Sequence, residues 1–188
     1  MALFYTKLPH ETERLLTSGL SLPAVELNVE EWKHITLVYM GDDVPLETVA
    51  QAMVAAYDVV STTPPFTVRI NEVTTFPKND SGLTPVICRI HSPEIHDLQE
   101  RLCVVLDHYR ISYSKKFPEY KPHVTLGYTK ETFSDQVLST PVEWGVHEIH
   151  LGAGDERDQR CCITYPLRIN ALKKRIAARY RELIGRRI

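Results

Sequence analysis

Two short stretches of this chain carry residues of the right type and spacing for proton-transfer chemistry. Residues 34–39 read His-Ile-Thr-Leu-Val-Tyr and residues 123–128 read His-Val-Thr-Leu-Gly-Tyr. An imidazole titrates near neutrality, so one histidine can remove a proton from an attacking hydroxyl or water while a second gives one to a leaving oxygen. A threonine two residues on has a hydroxyl that can donate to a non-bridging phosphate oxygen. Two such pairs facing one another would bracket a tetrahedral phosphate between His34, Thr36, His123 and Thr125, and this division of labour calls for no metal and no cofactor.

A bare His-x-Thr is a weak signal. With 8 His and 16 Thr among 188 residues, about 0.7 copies arise by chance. A decoy stands at His10-Glu11-Thr12, in a polar segment unsuited to a buried strand. The two motifs differ from the decoy in sharing Leu and Tyr at equal offsets. Both are rich in β-branched and aromatic residues, and each reads as a strand. Strict alternation puts His34, Thr36 and Val38 on one face and Ile35, Leu37 and Tyr39 on the other. The same rule puts Tyr128 with Val124 and Leu126, so both tyrosines are expected in the core.

The elements around the motifs form a repeat. A first strand over 3–8 is followed by a short helical stretch over 11–17 and the first motif strand. A helix follows over 45–60, with Leu46, Val49, Ala50, Met53, Val54 and Tyr57 at helical spacing. Strands over 66–76 and 84–91 flank a turn at 78–82. Ser92-Pro93-Glu94 opens a helix whose apolar stripe is Ile95, Leu98, Leu102, Val105, Leu106 and Tyr109. After the second motif come a weakly helical 131–139, a strand pair over 141–151 and 159–167 around a polar turn, and a basic helix over about 170–187. Pro65-Phe66 through Glu72-Val73 matches Pro141-Val142 through Glu148-Ile149 at an offset of 76, against 89 for the motifs. The expected architecture is α+β: one bilobal domain over 1–188, two halves related by a pseudo-twofold, antiparallel-rich sheets lining a central cleft and helices outside.

Composition excludes several classes. Hydrophobic and charged fractions of 43% and 24% are those of an ordinary globular chain. No apolar run approaches a membrane span and no signal-peptide pattern opens the sequence. Four cysteines without CxxC spacing fit a reducing setting, so a cytoplasmic monomer is expected. Residues 1–170 hold 15 Lys/Arg against 23 Asp/Glu, whereas 171–188 hold seven against one. An acidic body is a poor binder of long duplex, whose affinity comes from many phosphate contacts. A nucleotide, cyclic nucleotide or short RNA end fits better. Zinc at His147-x-x-His150 with Cys161-Cys162 is disfavoured, because on strands those side chains point to opposite faces. Further cleft-lining candidates for substrate binding are Tyr5, Lys7, Arg89 and Lys121.

Two His-x-Thr motifs in duplicated halves, the opening strand, the Leu37-Val38-Tyr39-Met40-Gly41 run and the closing strand pair together resemble the 2H phosphoesterase superfamily. That superfamily includes bacterial and phage 2′-5′ RNA ligase-like proteins and cyclic nucleotide phosphodiesterases. The resemblance spans nearly the whole chain. It implies a bilobal fold with a central cleft, metal-independent phosphodiester chemistry, and His34, Thr36, His123 and Thr125 as the catalytic set. The substrates it implies are 2′,3′-cyclic phosphates, 2′-5′ linkages or short oligonucleotides. Two other readings stand beside it: a phage-type nuclease that degrades cyclic oligonucleotide immune messengers, and a module that holds nucleotide or RNA ends without turnover.

Overall fold

The computed structural model describes residues 1–16, 20, 26–154 and 160–167, with side chains at 160–162 left aside. The cysteine pair Cys161-Cys162 and the basic C-terminal segment expected to be a helix therefore lie outside the described side chains and residues, respectively.

Two antiparallel sheets form the frame. In the first, β3 (His34–Gly41), β1 (Ala2–Lys7), β8 (Glu148–Ala153) and β9 (Arg160–Pro166) lie side by side. In the second the order is β2 (Asn28–Val29), β6 (His123–Thr129), β5 (Thr84–His91), β4 (Phe66–Thr75) and β7 (Gln136–Val146). With the halves divided between β4 and β5, each motif strand lies next to the first strand of its own half: β1 beside β3, β5 beside β6. Helices α2 (Leu46–Ser61) and α3 (Pro93–His108) pack on each other, α2 against β8 and β9 and α3 against β3. Arg101 ties the two helices by donating to the Val59 carbonyl (2.9 Å) at the C-terminal end of α2, where unpaired carbonyls favour a cation. The short α1 (His10–Arg14) holds the decoy His-Glu-Thr.

The repeat at offset 76 pairs with itself. Phe66 lies opposite Val146, the equivalent of Ile70, Ile70 lies opposite Val142, the equivalent of Phe66, and Val68 between them lies opposite its own equivalent Trp144, the reciprocity of an isologous twofold contact. The remainder of β4 pairs with β5, while β8, the continuation of the second copy, pairs with β1 in the other sheet. Each half thus lends a strand to its partner's sheet.

Four expectations are corrected. The segment 141–151 is broken at His147, because its two parts pair in different sheets; the Leu167 amide donates to the His147 carbonyl at the break. Residues 131–135 form a loop and β7 begins at Gln136, so the second half has no counterpart of α2; Phe133 plugs the loop and Thr74 donates to Asp135 (2.6 Å). On α2 the buried side is Val49, Ala52, Ala55, Ala56 and Val60, while Leu46, Val54 and Tyr57 are exposed. Small residues let this helix approach closely, so its alanine side faces inward in place of the bulkier stripe. Tyr109 leaves the α3 stripe for solvent because the helix ends at His108; Ile95, Leu98, Leu102 and Leu106 hold as core.

Candidate functional site

Both motif strands break alternation at the same point. In β3, Phe4 pairs with Val38 and Tyr5 with Thr36, leaving Leu37 without a partner. In β6, Val86 pairs with Gly127 and Ile87 with Thr125, leaving Leu126 over. These are β-bulges, in which two residues oppose one and the following side chains change face. Leu37 and Val38 are therefore both buried, at 2% and 3% exposure, and Tyr39 returns to the side of His34 and Thr36. Tyr128 does the same in its strand. The expectation that Val38 shares the polar face and that both tyrosines are core is corrected on this ground: each tyrosine is only half-buried, and Tyr39 donates to Asp42.

The bulge also explains the one position where the motifs differ in kind. Residues 28–30 cross from the first half to pair with β6, Val29 opposite Gly127, with the Glu30 amide donating to the Leu126 carbonyl. A Cβ on Gly127 would lie 2.6 Å from the Asn28 carbonyl oxygen. Val38 lies on β3, the edge strand of its sheet among the described residues, where the first copy keeps a side chain. A reciprocal strap serves β3: the Ser114 amide donates to the Tyr39 carbonyl (2.8 Å), and the Tyr120 hydroxyl donates to the Thr36 carbonyl (3.0 Å).

The two imidazoles are held alike. His34 Nδ1 is 2.9 Å from the Trp32 carbonyl oxygen and His123 Nδ1 is 2.7 Å from that of Lys121. A carbonyl only accepts, so each Nδ1 carries the hydrogen, and each Nε2 is left to exchange protons. His34 Nε2 lies 3.1 Å from Thr36 Oγ1, an acceptor for that hydroxyl when neutral. Burial lowers the pKa of His34 to about 4, opposed by the Trp32 carbonyl and reinforced by the charge of His123. The pKa of His123 is also lowered by burial, with the Lys121 carbonyl opposing. Each ring senses its surroundings as a partly dry pocket, and His34 senses His123.

Their aromatic neighbours differ. Trp32 stacks on His34, centroids 3.8 Å apart at 26°, whereas Phe76 meets His123 edge to face at 4.7 Å and 83°. Trp32 and Phe76 were not among the expected site residues. Trp32 sits two positions before its histidine, in register with Lys121 before His123; nothing in the sequence marked Phe76.

The four expected binding residues fall in two classes. Lys7 lies cross-strand from His34, and Arg89 cross-strand from His123, so the two cations occupy equivalent positions on the motif faces. Arg89 Nε reaches Glu72 at 3.2 Å. Lys121 supplies its carbonyl to His123 while its ammonium pairs with Glu119 at 3.1 Å. Tyr5 lies opposite Thr36 but is only 3% exposed: it stacks on His150 (5.1 Å, 27°) and meets Trp32 and His34 edge-on. It is a wall behind His34, not an open platform. His150, buried with Nδ1 3.0 Å from Thr164 Oγ1 and Nε2 3.2 Å from Glu148, has its pKa lowered chiefly by burial. His147 is exposed beside it on the chain.

The model of the 2′-5′ RNA ligase superfamily matches residues 27–158, more than half the chain and both motifs. The chain belongs to this superfamily. It is accordingly a 2H phosphoesterase in family and fold, and family membership supports phosphoesterase chemistry. A comparison with curated protein sequences gives no match. Among solved structures, TT0787 of Thermus thermophilus superposes with a TM-score of 0.71 at 17% identity, covering 90% of this chain and 98% of that one. E. coli LigT complexed with NADP+ gives 0.67 at 18%, covering 88% and 96%. The MHV ns2 PDE domain gives 0.52 at 11%, covering 77% and 96%. LigT has also been solved with phosphate, 3′-AMP and ATP. At these identities the likeness shows the shared fold. Among the described residues, no helix is long and apolar enough to cross a membrane.

Proposed function

We propose that this 2H phosphoesterase is a metal-independent phosphodiesterase that opens a 2′,3′-cyclic phosphate or cuts a 2′-5′ linkage at the end of a nucleotide or short RNA. The reading is supported above all by one observation: both motif imidazoles have Nδ1 committed to a backbone carbonyl and Nε2 left for proton exchange, with the charge of one felt by the other. In the hydrolysis of a cyclic phosphate, His34 Nε2 takes a proton from water as its oxygen forms a bond to phosphorus. The P–O bond to the ribose breaks, and protonated His123 Nε2 gives its proton to that leaving oxygen. A pKa lowered to about 4 suits His34 to the part of the base, which must be neutral at the start. Thr36 and Thr125 hydroxyls donate to the non-bridging oxygens as charge builds there, Thr36 exchanging its bond to His34 for one to phosphate. Lys7 and Arg89, each beside a histidine, balance the phosphate charge.

The test is a panel of 2′,3′-cyclic mononucleotides, 2′-5′ oligoadenylates and cyclic di- and trinucleotides, each with and without EDTA. Turnover of a cyclic phosphate or 2′-5′ bond at an unchanged rate in chelator is the expected result. Binding without product across the panel overturns it in favour of an RNA-end binding module. Turnover of the cyclic oligonucleotides alone would reassign the substrate to a signalling nucleotide.

A further inference from the structure

The body of this chain repels polyanions overall, yet one described segment reverses the balance. Residues 110–121 hold Arg110, Lys115, Lys116 and Lys121 against a single acid, Glu119, within residues 1–170 that carry 15 Lys/Arg and 23 Asp/Glu. The segment ends at the second motif: the Lys121 carbonyl holds His123 and the Tyr120 hydroxyl holds the backbone of Thr36. Its first part is bonded as well. The Ile111 amide donates to Leu106, the Ser114 amide to Tyr39 of β3, and the Lys116 amide to the Ser114 hydroxyl. The cations are thus carried on a segment tied near both ends to the motif strands.

At the middle of the strap stands Phe117, 77% exposed, with the Lys116 ammonium 5.8 Å from its ring centroid. An exposed aromatic among cations is what single-stranded nucleic acid needs: a ring for a base to stack on and charges for the phosphates on either side. The lysines are lightly held. Lys115 pairs with Asp107, Lys116 with Asp80 and Lys121 with Glu119, and the Lys115 and Lys116 side chains are both 68% exposed. Exposed pairs of that kind contribute little and give way to a phosphate. Phe117 and His123 are six positions apart, at most about 20 Å of chain, which is within the reach of a few nucleotides.

We infer that the 114–118 strap is a binding edge for single-stranded oligoribonucleotide, so that the substrate is an RNA end with several nucleotides attached and not a mononucleotide. The inference rests on the phosphodiesterase reading above for its catalytic readout, but its binding readout is independent. Two substrates are compared, a hexanucleotide ending in a 2′,3′-cyclic phosphate and the corresponding cyclic mononucleotide, with wild type and with a Lys115→Gln/Lys116→Gln/Phe117→Ser variant. The wild type should favour the hexanucleotide in kcat/KM, and the variant should lose about tenfold or more on it, mainly through KM. Turnover of the mononucleotide should be unchanged, and the salt dependence of hexanucleotide turnover should flatten. Equal loss on both substrates, or no loss on either, overturns the inference. If neither substrate is turned over, the catalytic reading fails separately. Fluorescence anisotropy of a labelled hexanucleotide then decides: binding that weakens in the variant upholds the strap, and binding equal to wild type refutes it.

Discussion

The two motif halves present the same imidazole in two different settings. Both histidines are locked by a carbonyl two residues upstream, both strands bulge at the next leucine, and each has a cation as cross-strand neighbour. Around that shared frame, His34 is backed by a stacked Trp32, a buried Tyr5 and its own threonine hydroxyl. His123 has Phe76 edge-on, and among the described residues Thr125 has no hydrogen bond to it. Duplication alone would make the rings interchangeable. The surroundings make them different, and on the mechanism proposed above that difference would let one ring start neutral and the other charged.

The largest effect should come from the rings themselves. His34→Ala or His123→Ala removes a proton-transfer group worth ~10²–10⁴-fold in rate, with substrate binding retained through the remaining histidine and both hydroxyls. If the two act as one relay, the double variant is little slower than the poorer single one. Steady-state kinetics on the best panel substrate checks this; additive losses would mean that the halves serve separate steps, and full activity in either single variant would end the two-histidine reading.

Acid should expose the asymmetry next. With its folded pKa near 4, His34 stays neutral in the folded chain while the unfolded chain takes up a proton below about 6.5. Stability is then unaffected above that pH and falls as the pH drops from about 6.5 towards 4, by up to about 3 kcal/mol from this group. His34→Gln should make the thermal midpoint less sensitive across that window. The same lowered values place the kcat/KM bell of the free enzyme on the acid side of the ordinary histidine range, with apparent limbs belonging to the pair. A bound phosphate anion favours both charged rings, so the kcat bell should move to higher pH. A kcat/KM profile centred well above neutrality would remove the assignment of His34 as base.

The Val38–Gly127 difference gives a stability test of the same comparison. Gly127→Val must push the Asn28 carbonyl and its strap away from β6, and overpacking of this kind costs ~1–3 kcal/mol. Val38→Gly opens a small void in a buried position instead. Denaturant unfolding should show both variants destabilised, but only Gly127→Val should loosen residues 28–30, seen as faster amide exchange at Glu30. Equal exchange in the two would mean that the glycine is there for another reason.

These particulars also mark what could be read without coordinates. The equal offsets of Leu and Tyr and the self-match at 76 were legible, and they carried the antiparallel, duplicated α+β arrangement. A bulge was not, because it changes no residue type and is set by how β1 and β5 run alongside. The inward side of α2 was hidden for a different reason. Apolar residues occur almost all round that helix, and the choice of its alanine side depends on how closely α3 and β9 approach. Trp32 escaped notice because it precedes the strand; only the sharp return of the chain, fixed by the His34–Trp32 carbonyl bond, folds it back over the imidazole.

The smallest effect concerns that tryptophan. A ring whose face covers an imidazole favours the charged form through its quadrupole, by about 0.5–2 kcal/mol depending on desolvation. Trp32 is therefore expected to work against the burial that depresses His34 and, with His34 as the proposed base, most strongly as that ring becomes imidazolium in the transition state. Trp32→Leu keeps apolar cover while removing the π face. It should lower the His34 pKa further and slow kcat by roughly 3- to 10-fold, with KM little changed, since the interaction gained is larger in the transition state than in the ground state. Phe76→Leu, which removes an edge contact and not a covering face, should change the His123 titration less. Following both imidazole resonances by NMR as pH is varied separates the two cases. If Trp32→Leu instead raises the His34 pKa, the ring acts by excluding water alone, and the asymmetry between the halves is one of burial and not of charge stabilisation.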